Sequence, residues 1–463
     1  MQYDTLMLSL KSDSLGGTIM LENHPFNINE KGHLSICGAD AVELAEDYGT
    51  PLYVYDVNRI RKNCRVFTEA FKEAGVKSQV SYASKAFSCV AILEVIQQEG
   101  LSLDVVSHGE LYTAMKAGFP SEKIHFHGNN KNETELQAAI DYDIGCIVID
   151  NFYEIKLLEK LLSKANKQMN VLLRVTPGIE SETHQYIMTG NEDSKFGFNL
   201  ENGQADEAFR LLHNHSHIRL QGLHSHIGSQ IFNTNSFVMA VSILYKQIAV
   251  WYESFGYEPN IMNFGGGFGI RYTKSDEPIE NDEHIRHLIT AVKKETTALG
   301  INMPEIWIEP GRSIVGDAGL TLYTVGSMKD IQGVRKYVAV DGGMADNIRP
   351  ALYDAPYEAV VANKANEKNK ETVSIAGKCC ESGDMLIWDL PVPAIEAQDI
   401  LAVFATGAYG YSMASNYNRL FKPAVVFVED GVSQLVVKRE SLDDIVKNDL
   451  TYKPICDVAT GSN

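Results

Sequence analysis

Short apolar runs recur along the first two thirds of the chain, at 78–83, 101–106, 123–127, 146–150, 170–175, 219–225, 260–264 and 305–309. Each is bounded by polar or glycine-rich punctuation, the pattern of a buried strand. Helical spacing fills most of the intervals. Val90, Leu93 and Ile96 mark one face of 87–98, and 152–165, 236–255 and 283–298 repeat the pattern. Asn132 with Glu135 three positions on makes a capping box for another helix. These eight alternations over roughly 230 residues match a closed, right-handed (β/α)8 barrel better than an open doubly wound sheet. One stretch breaks the rhythm: 176–203 is long, polar and without periodicity, and loops of that length in compact domains are commonly functional.

Beyond Arg312 the period changes to two. Leu320 to Val325, Tyr337 to Val340, Thr372 to Ala376, Ile400 to Phe404 and Ala424 to Val428 are strand candidates, the last continued through Asp430-Gly431 into 434–438 as a hairpin. The chain is therefore expected to hold an α/β barrel of the TIM type over 45–312. A mostly β domain, sandwich- or barrel-like, is expected from 1–44 together with 313–463. The early strand candidates 33–37 and 52–55 join the β domain, because the barrel is already full.

Composition narrows the classes of function. Sixty acidic against forty-one basic residues in 463 give a formal charge of −19, which argues against nucleic acid or an anionic membrane as partner. Seven cysteines without a C-x-x-C pair and no cationic-apolar leader point to a reduced, cytoplasmic protein. The longest apolar runs are strand-sized, too short to span a bilayer.

The candidate chemistry gathers at the carboxyl ends of the expected strands, where barrel active sites are built. Lys85 follows the first, among apolar neighbours that favour the neutral amine a carbonyl compound would react with. His224-Ser225-His226-Ile227-Gly228-Ser229 follows the sixth. Gly265-Gly266-Gly267 follows the seventh, where backbone N–H groups can approach an anion. Glu309-Pro310-Gly311-Arg312 follows the eighth. Two His-x-His pairs, His125/His127 and His224/His226, leave open a metal-dependent barrel hydrolase. In the β domain, Cys379-Cys380-Glu381, Asp341-Gly342-Gly343 with Arg349 and Tyr353, and Gly407-Ala408-Tyr409 lie in turn-like stretches between strands.

Taken together these motifs resemble the pyridoxal-phosphate-dependent decarboxylases with an alanine-racemase-like barrel (fold type III), and among them the branch that acts on diaminopimelate. The resemblance runs from about Leu34 to Leu450. It rests on Tyr-Ala-Ser-Lys at 82, His-Gly-Asn-Asn-Lys at 127, Asp-Ser-Lys-Phe-Gly-Phe at 193 and His-Ile-Gly-Ser-Gln at 226. Gly-Gly-Gly-Phe-Gly at 265, Glu-Pro-Gly-Arg at 309, Cys-Glu-Ser-Gly-Asp at 380, and Gly-Ala-Tyr with Ser-Met-Ala-Ser-Asn-Tyr-Asn from 407 complete it. One departure is His108-Gly109 before Glu110, where the family commonly has two glycines.

The resemblance implies a role for each matching position. Lys85 would hold pyridoxal 5'-phosphate covalently and His226 would stack on its ring. Ser229, Gly265, Gly266, Gly267, Gly311 and Tyr409 would surround the phosphate, and Glu309 would bind the pyridine nitrogen. Arg312, Arg349 and Tyr353 would hold the substrate's distal carboxylate, with Arg312 also beside the cofactor and Tyr409 also beside the substrate. Glu381 would hold the distal amine and Cys380 would donate a proton. Cys380 reaches the partner's site in the family, so a homodimer with shared active sites is implied. The implied reaction is decarboxylation of meso-2,6-diaminopimelate at its D-centre to L-lysine. Decarboxylation of ornithine, arginine or carboxynorspermidine is the alternative within the class, and a catalytically silent relative acting as a regulator lies outside it.

Overall fold

The computed structural model describes residues 19–20, 24–178 and 194–452, so most of the 176–203 stretch lies outside the described residues. Eight parallel strands form the barrel: β1 Ser78–Ala83, β2 Ser102–Val105, β3 Ile124–Phe126, β4 Cys146–Ile149, β5 Met169–Thr176, β6 Ile218–His224, β7 Ile261–Asn263 and β8 Glu305–Ile308. Pairing of β4 with β5 and of β8 with β1 closes the ring. Each expected strand is present, with ends displaced by no more than one residue.

Alternation along the strands sorts the side chains into two sets. One set, including Leu103, Ile147, Ile149, Val171, Leu173 and Ile306, is buried in the large apolar cluster shared with the surrounding helices. Inside the ring, Cys146, Val148, Leu172 and Trp307 form a separate small cluster. His125 stacks on Trp307 at 4.3 Å and belongs to the same interior. The buried Asp104, His127 and His224 are the polar residues at the strand ends above this plug. The apolar interior below leaves the mouth as the place for chemistry.

The second unit is a mostly β sheet with strand order Met385–Val392, Glu371–Ala376, Arg335–Val340, Gly319–Ile331, Leu52–Asp56, Ala424–Glu429 and Val432–Val437. Leu52–Asp56 is wholly buried in it, antiparallel to Gly319–Ile331 and parallel to Ala424–Glu429. The candidate 52–55 thus lies in the β domain as expected, although its residues fall inside the range 45–312 given to the barrel. The first helix against the barrel wall is Val57–Glu73, N-capped by Asp56, whose carboxylate accepts from Arg59 N. The Asp430-Gly431 turn has φ of 49° and 81°, the left-handed pair that a two-residue hairpin requires. No helix among the described residues is long and apolar enough to cross a membrane.

Candidate active site

β1 runs directly into the 3-10 turn Ser84–Ala86, and this turn carries Lys85. It is pinned from two directions. The Ser84 hydroxyl lies 2.7 Å from the Asp104 carbonyl and 2.8 Å from Glu110 Oε2. On the other side, Tyr409 N donates to the Ala86 carbonyl at 2.8 Å, and Ser412 Oγ does so at 3.2 Å. Lys85 itself is exposed, at the edge of a cavity of about 340 Å³ in the barrel mouth. His226, Ser229, Gly267, Glu309, Gly311, Arg312 and Tyr409 line the same cavity. The β domain thus supplies one wall, through a Tyr409 held at φ 60°.

Glu309 directly follows β8 and takes several donors. Asn263 Nδ2 donates at 2.7 Å and His224 Nε2 lies 3.0 Å from Oε1, while His127 Nε2 stands at 3.4 Å. Burial alone would raise this carboxyl, but the two imidazoles outweigh it and hold the group well below the usual carboxylate range. His226 shows the opposite balance. Burial, assisted by Lys85 and Arg174, keeps its imidazole neutral far below its ordinary value. Its Nδ1 accepts from Gly266 N at 3.2 Å, which fixes the ring.

The glycine triplet divides its labour. Gly265 N donates to Asn263 Oδ1 at 2.9 Å and Gly266 N to His226, so these two shape the loop while Gly267 lines the cavity. A Cβ on Gly266 would stand 2.1 Å from the Glu309 carbonyl, and one on Gly267 2.4 Å from that of Gly228. No larger residue fits either position.

Arg312 and Arg349 are both buried and converge on one phenol. Each donates through Nη1 to Tyr272 Oη, Arg349 at 2.9 Å, and Arg349 also donates to Tyr357 at 2.7 Å. Burial would raise the Tyr272 phenol, but the two guanidiniums draw it below its ordinary value. Arg312 Nη2 donates to Ser229 Oγ at 3.0 Å, and its guanidinium lies over the Tyr409 ring at 4.8 Å. Tyr353 is half-buried, and it does not line the cavity. Cys380 and Glu381 are exposed and do not line it either, so one chain does not bring them to Lys85. His108 is exposed in the first turn of helix His108–Lys116, away from the cavity lining.

Asp104, Arg174 and the tyrosines 272 and 357 escaped the sequence reading, while Asn129 and Phe196 stood in quoted motifs without a role. Asp104 and Arg174 carried a usable signal, since each is a charged residue near the carboxyl end of an apolar strand. Tyr272 and Tyr357 lie in aperiodic stretches, and only the fold shows what they touch. The His-x-His pairs do not assemble as pairs. His127, His224 and Glu309 instead place ligand atoms within 4.8 Å of one another, while His125 is held by Ser81 and Asp104.

The loop before Arg349 contains a second titrating group. Asp346 is buried, accepts from Tyr323 Oη and Gly343 N, and burial pushes its carboxyl up to about 7. A folded value above the unfolded one means that the protonated form stabilises the fold at low pH. That contribution is lost as pH rises from about 4 through about 7, in total about 4 kcal/mol. Asp346→Asn should remove this slope. Urea unfolding at pH 4.5 and 8 checks it: the variant loses less stability across the interval than the wild type.

Residues 57–316 match the sequence pattern of the family described as pyridoxal-dependent decarboxylase, pyridoxal binding domain. The chain is 61% identical over 415 residues to a diaminopimelate decarboxylase of Bacillus methanolicus, covering 90% of this chain and 96% of that protein. It is 60% identical to one from Bacillus subtilis (strain 168), covering 92% and 97%. Among solved structures it is similar to the diaminopimelate decarboxylase of M. jannaschii in complex with L-lysine, with TM-score 0.87, 35% identity and coverage of 94% and 99%.

Proposed function

Because the chain belongs to the pyridoxal-dependent decarboxylases, in their diaminopimelate-decarboxylating branch, we infer that it converts meso-2,6-diaminopimelate to L-lysine and carbon dioxide. The bond from the D-configured α-carbon to its carboxylate breaks, and a proton takes the place of the carbon dioxide released. The observation that carries this reading is one cavity holding the Lys85 amine, an ionised Glu309 and the buried Arg312, with the buried Arg349 outside the lining and joined to Arg312 through Tyr272.

The residues present fit pyridoxal 5'-phosphate. A cavity of about 340 Å³ is of cofactor size. It offers an exposed primary amine at its edge, a flat neutral imidazole and a carboxylate kept anionic. When bound, the cofactor supplies a covalent hold on the substrate amine and a ring that takes up the electron pair freed at the α-carbon. Lys85 would hold it covalently, and Glu309 would keep a proton on the ring nitrogen. His226 would lie against the ring face. Ser229, Gly267, Gly311 and Tyr409 would face the phosphate, with Gly265 and Gly266 shaping that loop.

Arg312 and Arg349 are held rigidly by Tyr272 and Tyr357, so they present a fixed planar donor set for a distal carboxylate. Tyr353 would add to this set. Cys380 would return the proton to the α-carbon and Glu381 would take the distal amine, both acting in the site of the other subunit of a homodimer. A cytoplasmic setting fits the free cysteines among the described residues.

Product analysis and carbon dioxide release by the purified enzyme test the assignment. We expect kcat/KM for meso-diaminopimelate at least about 10⁴-fold above that for L-lysine or L-ornithine, because substrates without a distal carboxylate give the guanidinium charges no anion to pair with. Comparable values for ornithine would move the enzyme to the diamine-forming branch.

A further inference from the structure

His127 stands between two buried carboxylates. Its Nε2 is 3.4 Å from Asp104 Oδ1 and 3.4 Å from Glu309 Oε1, and all three side chains are almost wholly withdrawn from solvent. Among the described residues Asp104 Oδ2 has no hydrogen-bond partner, and the His127 contacts are ionic in geometry. Hydrogen bonds from Asn263 and His224 to Glu309 and the His125 contact with Asp104 offset part of this burial, but two buried anions with no cation between them would be disfavoured. A cation between them resolves the conflict. We infer that Asp104 and His127 form a positioning pair beneath Glu309, an imidazolium bracketed by two anions that keeps Glu309 ionised and aimed at the cofactor's ring nitrogen. This rests on the assignment of Glu309 as that nitrogen's partner.

The surrounding charges agree with it. Around Asp104, His127 and Glu309 stand His125, whose Nδ1 is 3.2 Å from Asp104 Oδ1, and Lys85, Arg174, His224, His226 and Arg312 of the cavity lining. His224 and His127 both contact Glu309, yet they are driven apart. Burial dominates at His224 and lowers it, leaving a neutral ring that donates through Nε2. At His127 burial also opposes the charge, but Glu309 and Asp104 together overcome it and raise the group. Groups pushed to opposite protonation states in one site carry different tasks. Here the neutral ring orients Glu309, while the charged one offsets it. Asp104, His127 and Glu309 then sum to one negative charge, and a protonated pyridine nitrogen neutralises it. If His127 were neutral, that nitrogen would meet two carboxylates at once.

The placement is enforced from behind. His127 N donates to the Val105 carbonyl at 2.9 Å. The buried Lys131 clamps the next residue, donating to the Gly128 and Val148 carbonyls at 2.8 Å each while paired with Glu154 at 2.8 Å. The loop therefore has little freedom to withdraw the imidazole.

The test begins on cofactor-free, full-length enzyme labelled with 15N-histidine. Signals of His127, identified by their loss in His127→Gln, should show a ring that titrates above the ordinary histidine value, and Asp104→Asn should lower that titration. In the holoenzyme, His127→Gln should reduce kcat about tenfold to a hundredfold while KM changes little, and should move the alkaline limb of kcat to lower pH. A wild-type His127 that titrates near about 6.5 overturns the inference, whether or not the variants fold. So does a folded His127→Gln with unchanged kcat and pH profile. Glu309→Gln separates the two levels. Full activity in that variant would remove the assignment of Glu309 itself, whereas loss there with no effect of His127→Gln would remove only the pair.

Discussion

Replacing Lys85 with alanine should give a folded, colourless protein whose turnover of meso-diaminopimelate is lowered by about 10⁴-fold or more. The fold should survive because the side chain points into the cavity and its turn is held by neighbours, through Ser84 on one side and the Ala86 carbonyl on the other. Substitutions away from packed or bonded features usually change stability by less than about 0.5 kcal/mol. Among the described residues no other lysine lines the cavity. Lys131 is a buried lysine near the barrel end, but Glu154 and two carbonyls engage its ammonium. Borohydride reduction followed by peptide mass analysis should place the cofactor's mass on Lys85 in the wild type and nowhere in the variant. Activity of Lys85→Ala near wild type, or cofactor mass on another residue, would refute the assignment.

The barrel was legible because its strands are buried on both faces and so read as unbroken apolar runs, each followed by a polar or glycine-bearing turn. The site was legible for the same reason, since chemistry placed at strand ends interrupts those runs: Lys85 after Ala83, Glu309 after Ile308. What escaped depends on distance in the chain. The strand Leu52–Asp56 was placed in the β domain only by counting, because eight barrel strands were already assigned; its partners lie more than 250 residues away and escape any local pattern. Tyr272 and Tyr357 matter only because the fold sets them against Arg312 and Arg349. His127 was visible as half of a His-x-His pair. Its partner in space is Glu309, however, and no spacing rule connects residues on β3 and β8.

Co-expressing Lys85→Ala chains with Cys380→Ala chains should restore about a quarter of the wild-type activity, although each variant alone is nearly inactive. Within the described chain the loop around Cys380 is stiff and faces outward. Asp384 accepts from Met344 N at 2.6 Å and Cys379 N at 2.8 Å, welding the 379–384 turn to the loop that leads to Arg349. Cys380 N donates to Asn418 Oδ1 at 2.7 Å, and the residue is exposed. The neighbouring thiol is no substitute, since burial and Asp384 push Cys379 up to about 12. If Cys380 acts as proton donor in the other subunit, each site combines Lys85 of one chain with the partner's Cys380. A hybrid dimer then has one site lacking both groups and one site intact. Random assortment makes about half of the dimers hybrid, hence about a quarter of all sites active. Were Cys380 to serve its own chain, every site would lack one group and the mixture would stay as inactive as its components. Cys380→Ala alone should lower kcat by about 10²- to 10⁴-fold, the usual contribution of a general acid. Purified hybrid dimers carrying two different affinity tags make the measurement quantitative: half the wild-type kcat per dimer supports the shared site, and background activity eliminates it.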